Sequence, residues 1–72
     1  MMNRIPVVSS NLCSVGYDET SKMLKVEFHD SRVYQYFDVP ALIYHGLMAA
    51  SSHGSYLDRY VKKAGYRYLR VR

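Results

Sequence analysis

One cysteine, no tryptophan, two prolines and four glycines stand in a chain of 72 residues. The single thiol, Cys13, cannot close an internal disulfide, which excludes a disulfide-stapled scaffold and points to a reducing compartment, the cytoplasm. Without a second cysteine, and with His29, His45 and His53 lacking the i, i+4 spacing that sets two imidazoles on one helix face, no metal site is expected. No apolar run approaches the roughly 20 residues of a membrane helix, and Met1 to Val8 holds no apolar core for a secretion signal, so no membrane association is expected. The many serines have no nucleophile-elbow pattern around them. Asp38 and Asp58 read as a helix-start residue and a solvated side chain rather than as paired catalytic carboxylates. No catalytic residue and no cofactor are therefore expected. Nor is there a repeat, low-complexity tract or linker, so residues 1–72 read as one domain.

Tyrosine and positive charge are plentiful. Eight tyrosines take over the bulk that leucine usually supplies, and 10 Lys and Arg against 6 Asp and Glu give a formal charge of +4. Tyrosine brings contact area together with a hydroxyl that needs a partner, and the basic excess favours anionic ligands. A chain of this length buries only about 60% of its unfolded surface, so its core is thin.

The chain is organised around Val33-Tyr34-Gln35-Tyr36-Phe37-Asp38-Val39-Pro40, where a run of aromatic and branched residues stops at a proline. Residues 1–6 read as a loose lead-in, because Pro6 cannot donate to a ladder. From Ser10 to Tyr17 the alternation predicts a strand with Cys13, Val15 and Tyr17 toward the core, Cys13 as a small packed residue. Asp18 to Ser21 is a hairpin loop. Lys22 to His29 then alternates cleanly, with Leu24, Val26 and Phe28 on one face.

The next turn decides where the central tyrosines point. A two-residue loop Asp30-Ser31, or a four-residue loop from His29 to Arg32, pairs Phe28 with Val33 and turns Tyr34 and Tyr36 outward, leaving Val33, Gln35 and Phe37 on the core face. A three-residue loop shifts the pairing by one and puts both tyrosines on the core face. The outward register, which two of the loop lengths give, is the expectation.

Pro40 opens a helix to about Ala50, with Asp38 near its exposed amides and an apolar stripe of Ile43, Leu47 and Ala50 flanked by Tyr44 and Met48. Gly46 inside it marks a close approach to another backbone. Ser51 or Ser52 caps a second helix carrying Tyr56, Leu57, Tyr60 and Val61 on one side, and Gly65 stops it. The tail from Tyr66 to Arg72 alternates as a last strand, with Tyr66, Tyr68, Arg70 and Arg72 on one side. The fold class predicted is α+β, an antiparallel three-stranded meander followed by two short helices and a C-terminal strand.

The ordered series Val8-Ser9-Ser10-Asn11-Leu12, Val15-Gly16-Tyr17-Asp18, Leu24-x-Val26-x-Phe28, Tyr34-x-Tyr36, Val39-Pro40 and Ser52-x-Gly54-x-Tyr56 resembles the KTSC domain family over nearly the whole chain. That family is named for the C-terminal domain of some lysyl-tRNA synthetases and also occurs as a stand-alone small bacterial protein. The resemblance implies an RNA-binding module. Two departures stand out: Asp30-Ser31-Arg32 where the family often has glycine, and His53 where it often has lysine.

Interleaved aromatic and basic residues carry the functional expectation, since bases stack on tyrosine faces while Lys and Arg neutralise phosphates. Tyr34, Tyr36, Tyr66 and Tyr68 are the stacking candidates, and Lys62, Lys63, Arg67, Arg70 and Arg72 the phosphate candidates. Ser52, His53 and Gly54, at a helix start, form a candidate anion site weighed against plain capping. The reading is a non-enzymatic module for RNA or single-stranded DNA. The alternative is a protein-interaction module or homodimer using the same aromatic surface or the last strand.

Overall fold

The computed structural model describes residues 4–72. Five antiparallel strands follow one another in a meander: β1 (Arg4–Pro6), β2 (Leu12–Asp18), β3 (Met23–Phe28), β4 (Val33–Tyr36) and, after two helices, β5 (Tyr68–Arg70). The class is α+β with a C-terminal strand, as expected, but the meander before the helices has four strands rather than three. The additional strand lies in the supposed lead-in. Arg4 pairs with Gly16 and Pro6 with Ser14, and proline is tolerated there because β1 is an edge strand of the sheet. The rest of that lead-in, residues 1–3, lies outside the described residues.

In β2 the register slips between Leu12 and Ser14. The bulge reverses the expected facing of the first residues: Leu12 is fully buried in the core, whereas Cys13 is half-buried and stands outside the core cluster. Alternation alone cannot reveal such an insertion. Asp18 Oδ1 accepts from the Thr20 N–H at 3.0 Å in the first turn, and Asp18 pairs with Met23 to close it.

The second hairpin takes the three-residue loop. Leu24 pairs with Tyr36, Val26 with Tyr34 and Glu27 with Val33, so the outward register is overturned and both tyrosines join the face of Leu24 and Val26. The turn His29-Asp30-Ser31 is closed by the Phe28 N–H donating to the Arg32 carbonyl at 2.9 Å. Ser31 occupies the left-handed region at φ 73°, the position of this turn that favours glycine. Asp30 compensates by accepting from the Arg32 N–H at 3.2 Å and from Arg32 Nε at 2.6 Å.

Helix α1 (Ala41–Ala49) starts one residue after Pro40, which holds the N-cap position without a side-chain cap. Asp38 does not answer the helix amides as expected. It sits at φ 57° with its carboxylate 3.9 Å from Arg67. Gly46 does mark a close approach, but to a ring rather than a backbone: a Cβ there would lie 2.7 Å from Tyr56 Cζ. Helix α2 (His53–Leu57), capped by Ser52, continues through a π segment (Asp58–Lys62), and Gly65 at φ 86° follows its end. The segment widens the last turn, so that Val61 is buried while the next residue, Lys62, reaches the ring of Phe28.

The core unites Leu12, Val15, Leu24, Val26 and Tyr36 of the sheet with Val39, Leu47, Leu57 and Val61, and Phe28 and Ile43 pack against it. This is the predicted meeting of Leu24, Val26 and Phe28 with Ile43 and Leu47.

On the opposite sheet face one transverse row is organised by Glu27. Its carboxylate accepts from Ser14 Oγ at 3.0 Å and Arg72 Nη2 at 2.9 Å, with Arg4 Nη1 at 3.4 Å. Arg72 arrives there through a second bulge. The N–H groups of Val71 and Arg72 both donate to the Val33 carbonyl, at 2.8 and 3.3 Å, and the Val33 N–H donates to the Arg72 carbonyl at 2.9 Å. The Ser14 hydroxyl first, and then the two guanidinium charges, hold the Glu27 carboxyl below its ordinary 4.5. A carboxylate depressed on folding stabilises above its unfolded pKa, and the gain is lost as pH falls through the lower folded value. Urea midpoints of wild type and Glu27→Gln should therefore differ above about pH 5 and converge in acid. A gap that persists unchanged into acid would show that the ionised carboxylate is not its source.

Candidate nucleic-acid interface

Burial fades across the helix-facing side of the sheet toward its last strand. In the row Tyr17, Leu24, Tyr36, Tyr68, successive residues paired across the strands, Leu24 is 0%, Tyr36 2% and Tyr68 62% exposed. The neighbouring row, Val15, Val26, Tyr34, Arg70, repeats the gradient from two buried valines to an exposed arginine. The helices cover β2 and β3 and leave the β4–β5 margin open.

Aromatic rings fill this margin. Tyr34 and Tyr68 lie parallel, with centroids 5.8 Å apart and planes 2° apart. Tyr36 tilts against Tyr68 at 5.9 Å, and Phe28 stands edge-on to Tyr34 at 5.7 Å and 77°. All fall in the range where ring pairs attract through their quadrupoles. Lys62 Nζ is 5.1 Å from the Phe28 centroid and the Arg32 guanidinium carbon 5.6 Å from it. Tyr34, Tyr36, Lys62 and Tyr68 line a groove of about 270 Å³. Burial pushes the Tyr36 phenol from its ordinary 10.0 up to about 12.

The predicted site residues do not all converge here. Tyr34, Lys62 and Tyr68 do, Arg70 lies opposite Tyr34 in the adjoining row with its Nε donating to the Arg72 carbonyl at 3.2 Å, and Tyr36 contributes only a margin because its ring is committed to the core. Tyr66 does not share the face of Tyr68 as expected: the strand begins only at Tyr68, and Tyr66 packs against the core. Arg72 is also off this face, carried to Glu27 by the bulge. Lys63 pairs with Asp58 at 3.3 Å, and Arg67 lies over Phe37 at 5.3 Å beside Asp38. Both are thereby engaged away from the tyrosines.

The candidate anion site is likewise divided among other tasks. Ser52 Oγ accepts from the Ser55 N–H at 3.3 Å. His53 Nδ1 is 2.8 Å from the Leu47 carbonyl, which can only accept, so this nitrogen carries the proton. Gly54 packs under the Asn11 side chain. Sequence reasoning missed Phe28 and Arg32, which border the aromatic margin. Only the three-residue loop sets Phe28 beside Tyr34 and Tyr36, so preferring that loop would have found it.

Comparison with known proteins fits this geometry into a family. The KTSC domain model matches residues 8–68. An uncharacterized protein of Stutzerimonas stutzeri is 37% identical over 70 residues, covering 97% of this chain and 99% of the relative. A protein of Tsukamurella paurometabola is 35% identical over 57 residues, covering 79% of this chain and 85% of its own. The crystal structure of a KTSC domain protein from Yersinia pestis superimposes with a TM-score of 0.94 at 33% identity, over 100% of both chains.

Proposed function

Taking as premise that this chain belongs to the KTSC domain family, we propose that it is a small non-enzymatic module binding single-stranded nucleic acid, RNA foremost, on the β4–β5 margin. The observation that carries the reading is Tyr68, 62% exposed and stacked parallel on Tyr34 beside Lys62. A ring held flat by a second ring offers a base a rigid stacking surface at little entropic cost, and stacking is available to every base. Lys62 and Arg70 supply charge for the backbone. Arg32, tied to Asp30, adds a weaker third contact. Of the binding residues expected from the sequence, Tyr34, Lys62, Tyr68 and Arg70 carry this reading; RNA and single-stranded DNA are its ligands.

Labelled single-stranded RNA, single-stranded DNA and duplex, titrated at two salt concentrations, test it. Single strands should bind more tightly than duplex. With two to three phosphates neutralised, log K should fall against log salt with a slope of about −1.4 to −2.1. Tyr68→Ala should cost about 1 to 3 kcal/mol of binding with the slope kept, whereas Lys62→Gln with Arg70→Ala should flatten it. Undetectable binding by folded protein at low salt would overturn the proposal.

A second reading, a protein-interaction module or homodimer, draws on the free edge of β5, its exposed Leu69 and the exposed Val71 just after it. Strand edges accept other chains through their unpaired backbone groups. Here tail substitutions would change the mass seen by light scattering and leave nucleic-acid affinity where it was.

A further inference from the structure

Lys62 belongs to two grooves at once. Beyond the tyrosine groove it also lines a polar pocket of about 400 Å³, together with Asn11, Phe28, His29 and Arg32. The volume lies within the range of small-ligand sites. Among the described residues, Lys62 has no carboxylate in ion-pair range. The wall between the two spaces is the edge-on pair Phe28 and Tyr34, whose planes stand 77° apart. A base lying flat on Tyr68 and Tyr34 cannot be followed by a second base in the same stack against Phe28, since the next aromatic surface is turned almost perpendicular.

His29 Nε2 is occupied at 2.8 Å from the Ser9 carbonyl, and Arg32 is held by Asp30. The Asn11 carboxamide, exposed and lying over Gly54, has no hydrogen-bond partner among the described residues. A carboxamide offers a donor and an acceptor side by side, the arrangement that pairs with one edge of a base and favours adenine.

Resting on the binding reading above, we infer that the two grooves form one site for a splayed dinucleotide step of single-stranded RNA. One base stacks on Tyr68, the linking phosphate meets Lys62, and the following base turns out of the stack into the polar pocket, where Asn11 reads its edge. Continuous duplex is excluded from such a site because its bases cannot be splayed without unpairing. The tyrosine surface then supplies affinity without base preference, and the pocket supplies preference.

The test uses the full chain and four homopolymeric RNA heptamers, of adenine, cytosine, guanine and uracil, titrated into wild type, Asn11→Ala and Tyr68→Ala. Wild type should prefer the adenine heptamer by about tenfold over the weakest of the four. Asn11→Ala should bring all four within about threefold of one another by weakening the adenine complex alone. Tyr68→Ala should weaken all four by a similar factor and keep their order. Equal binding of the four by wild type would overturn the pocket while leaving the tyrosine platform standing, and binding of none would overturn both. A uniform loss in Asn11→Ala, accompanied by a lower melting temperature, would assign Asn11 to the packing of Gly54 and also overturn the pocket. Circular dichroism of each variant separates that outcome from the expected one.

Discussion

Tyr36→Ala is expected to cost about 3 to 5 kcal/mol of folding stability, the range for removing a large buried aromatic side chain. Tyr36 is the largest of the fully buried side chains and is 2% exposed. It joins Leu24 across the β3–β4 pair and touches the rings of Tyr34 and Tyr68. Truncation empties the place where the core meets the aromatic margin. A small domain with stability toward the low end of about 5 to 15 kcal/mol would be left barely folded. Tyr68→Ala, on the same strand pair but exposed, should cost under about 1 kcal/mol, because little of its surface is withdrawn from water. Urea unfolding of both variants checks the contrast, and equal losses would mean that burial does not separate the two tyrosines.

The same residue sets part of the alkaline limit. Burial, the chief cause, and the neighbouring phenols Tyr34 and Tyr68 raise the Tyr36 pKa from 10.0 to about 12. A group raised on folding contributes stability that is complete below its unfolded pKa and disappears as pH climbs through the folded value. Stability should therefore decline between pH 10 and pH 12. Tyr36→Phe should make that decline shallower without abolishing it, since the Tyr17 and Tyr56 phenols are also raised by burial.

Leu24→Ala should cost about 2 to 5 kcal/mol. Leu24 is completely buried and lies in one transverse row between Tyr17 and Tyr36. Both flanking rings are held by other contacts. Tyr17 stacks on Tyr44 at 4.8 Å and its hydroxyl donates to the Val39 carbonyl, while Tyr36 is pinned in the tyrosine cluster. Neither is free to collapse into the space, so the loss belongs in the upper half of that range. A change under about half a kcal/mol in urea unfolding would show that the neighbours do close the gap. Because Leu24 and Tyr36 are direct cross-strand partners, the double variant should lose less than the sum of the two single losses.

These contacts show which parts of the chain can be read from its letters. The β3 alternation identifies Leu24, Val26 and Phe28 because a regular strand has a strict period of two. The β4 facing escapes such a reading because it hangs on one loop length, and Ser31 supplies a left-handed turn position without the glycine that would announce it. Alternation puts Leu12 and Arg72 on the wrong sides for a common reason: each adjoins a bulge, at Cys13 and at Val71, and one inserted residue inverts the facing of the adjoining positions. Within the candidate site, residue types are legible but their engagements are not. Lys62 and Lys63 are adjacent and chemically identical, yet the π segment sends one to the Phe28 ring and leaves the other with Asp58.

The bulge at Val71 and Arg72 bears also on how the domain behaves in a crowded solution. An open sheet edge is a template on which further strands can be laid, chain after chain. Regular pairing of β4 with β5 runs for only three residues, Tyr34 to Tyr36 with Tyr68 to Arg70, before the bulge breaks the rhythm of the backbone. A strand added at β5 would find a regular template of three residues, room for one short partner rather than an extended ladder, and on the far edge it would meet Pro6, which has no N–H to offer. The irregularity that brings Arg72 to Glu27 thereby also shortens the edge on which chain-after-chain strand addition could build.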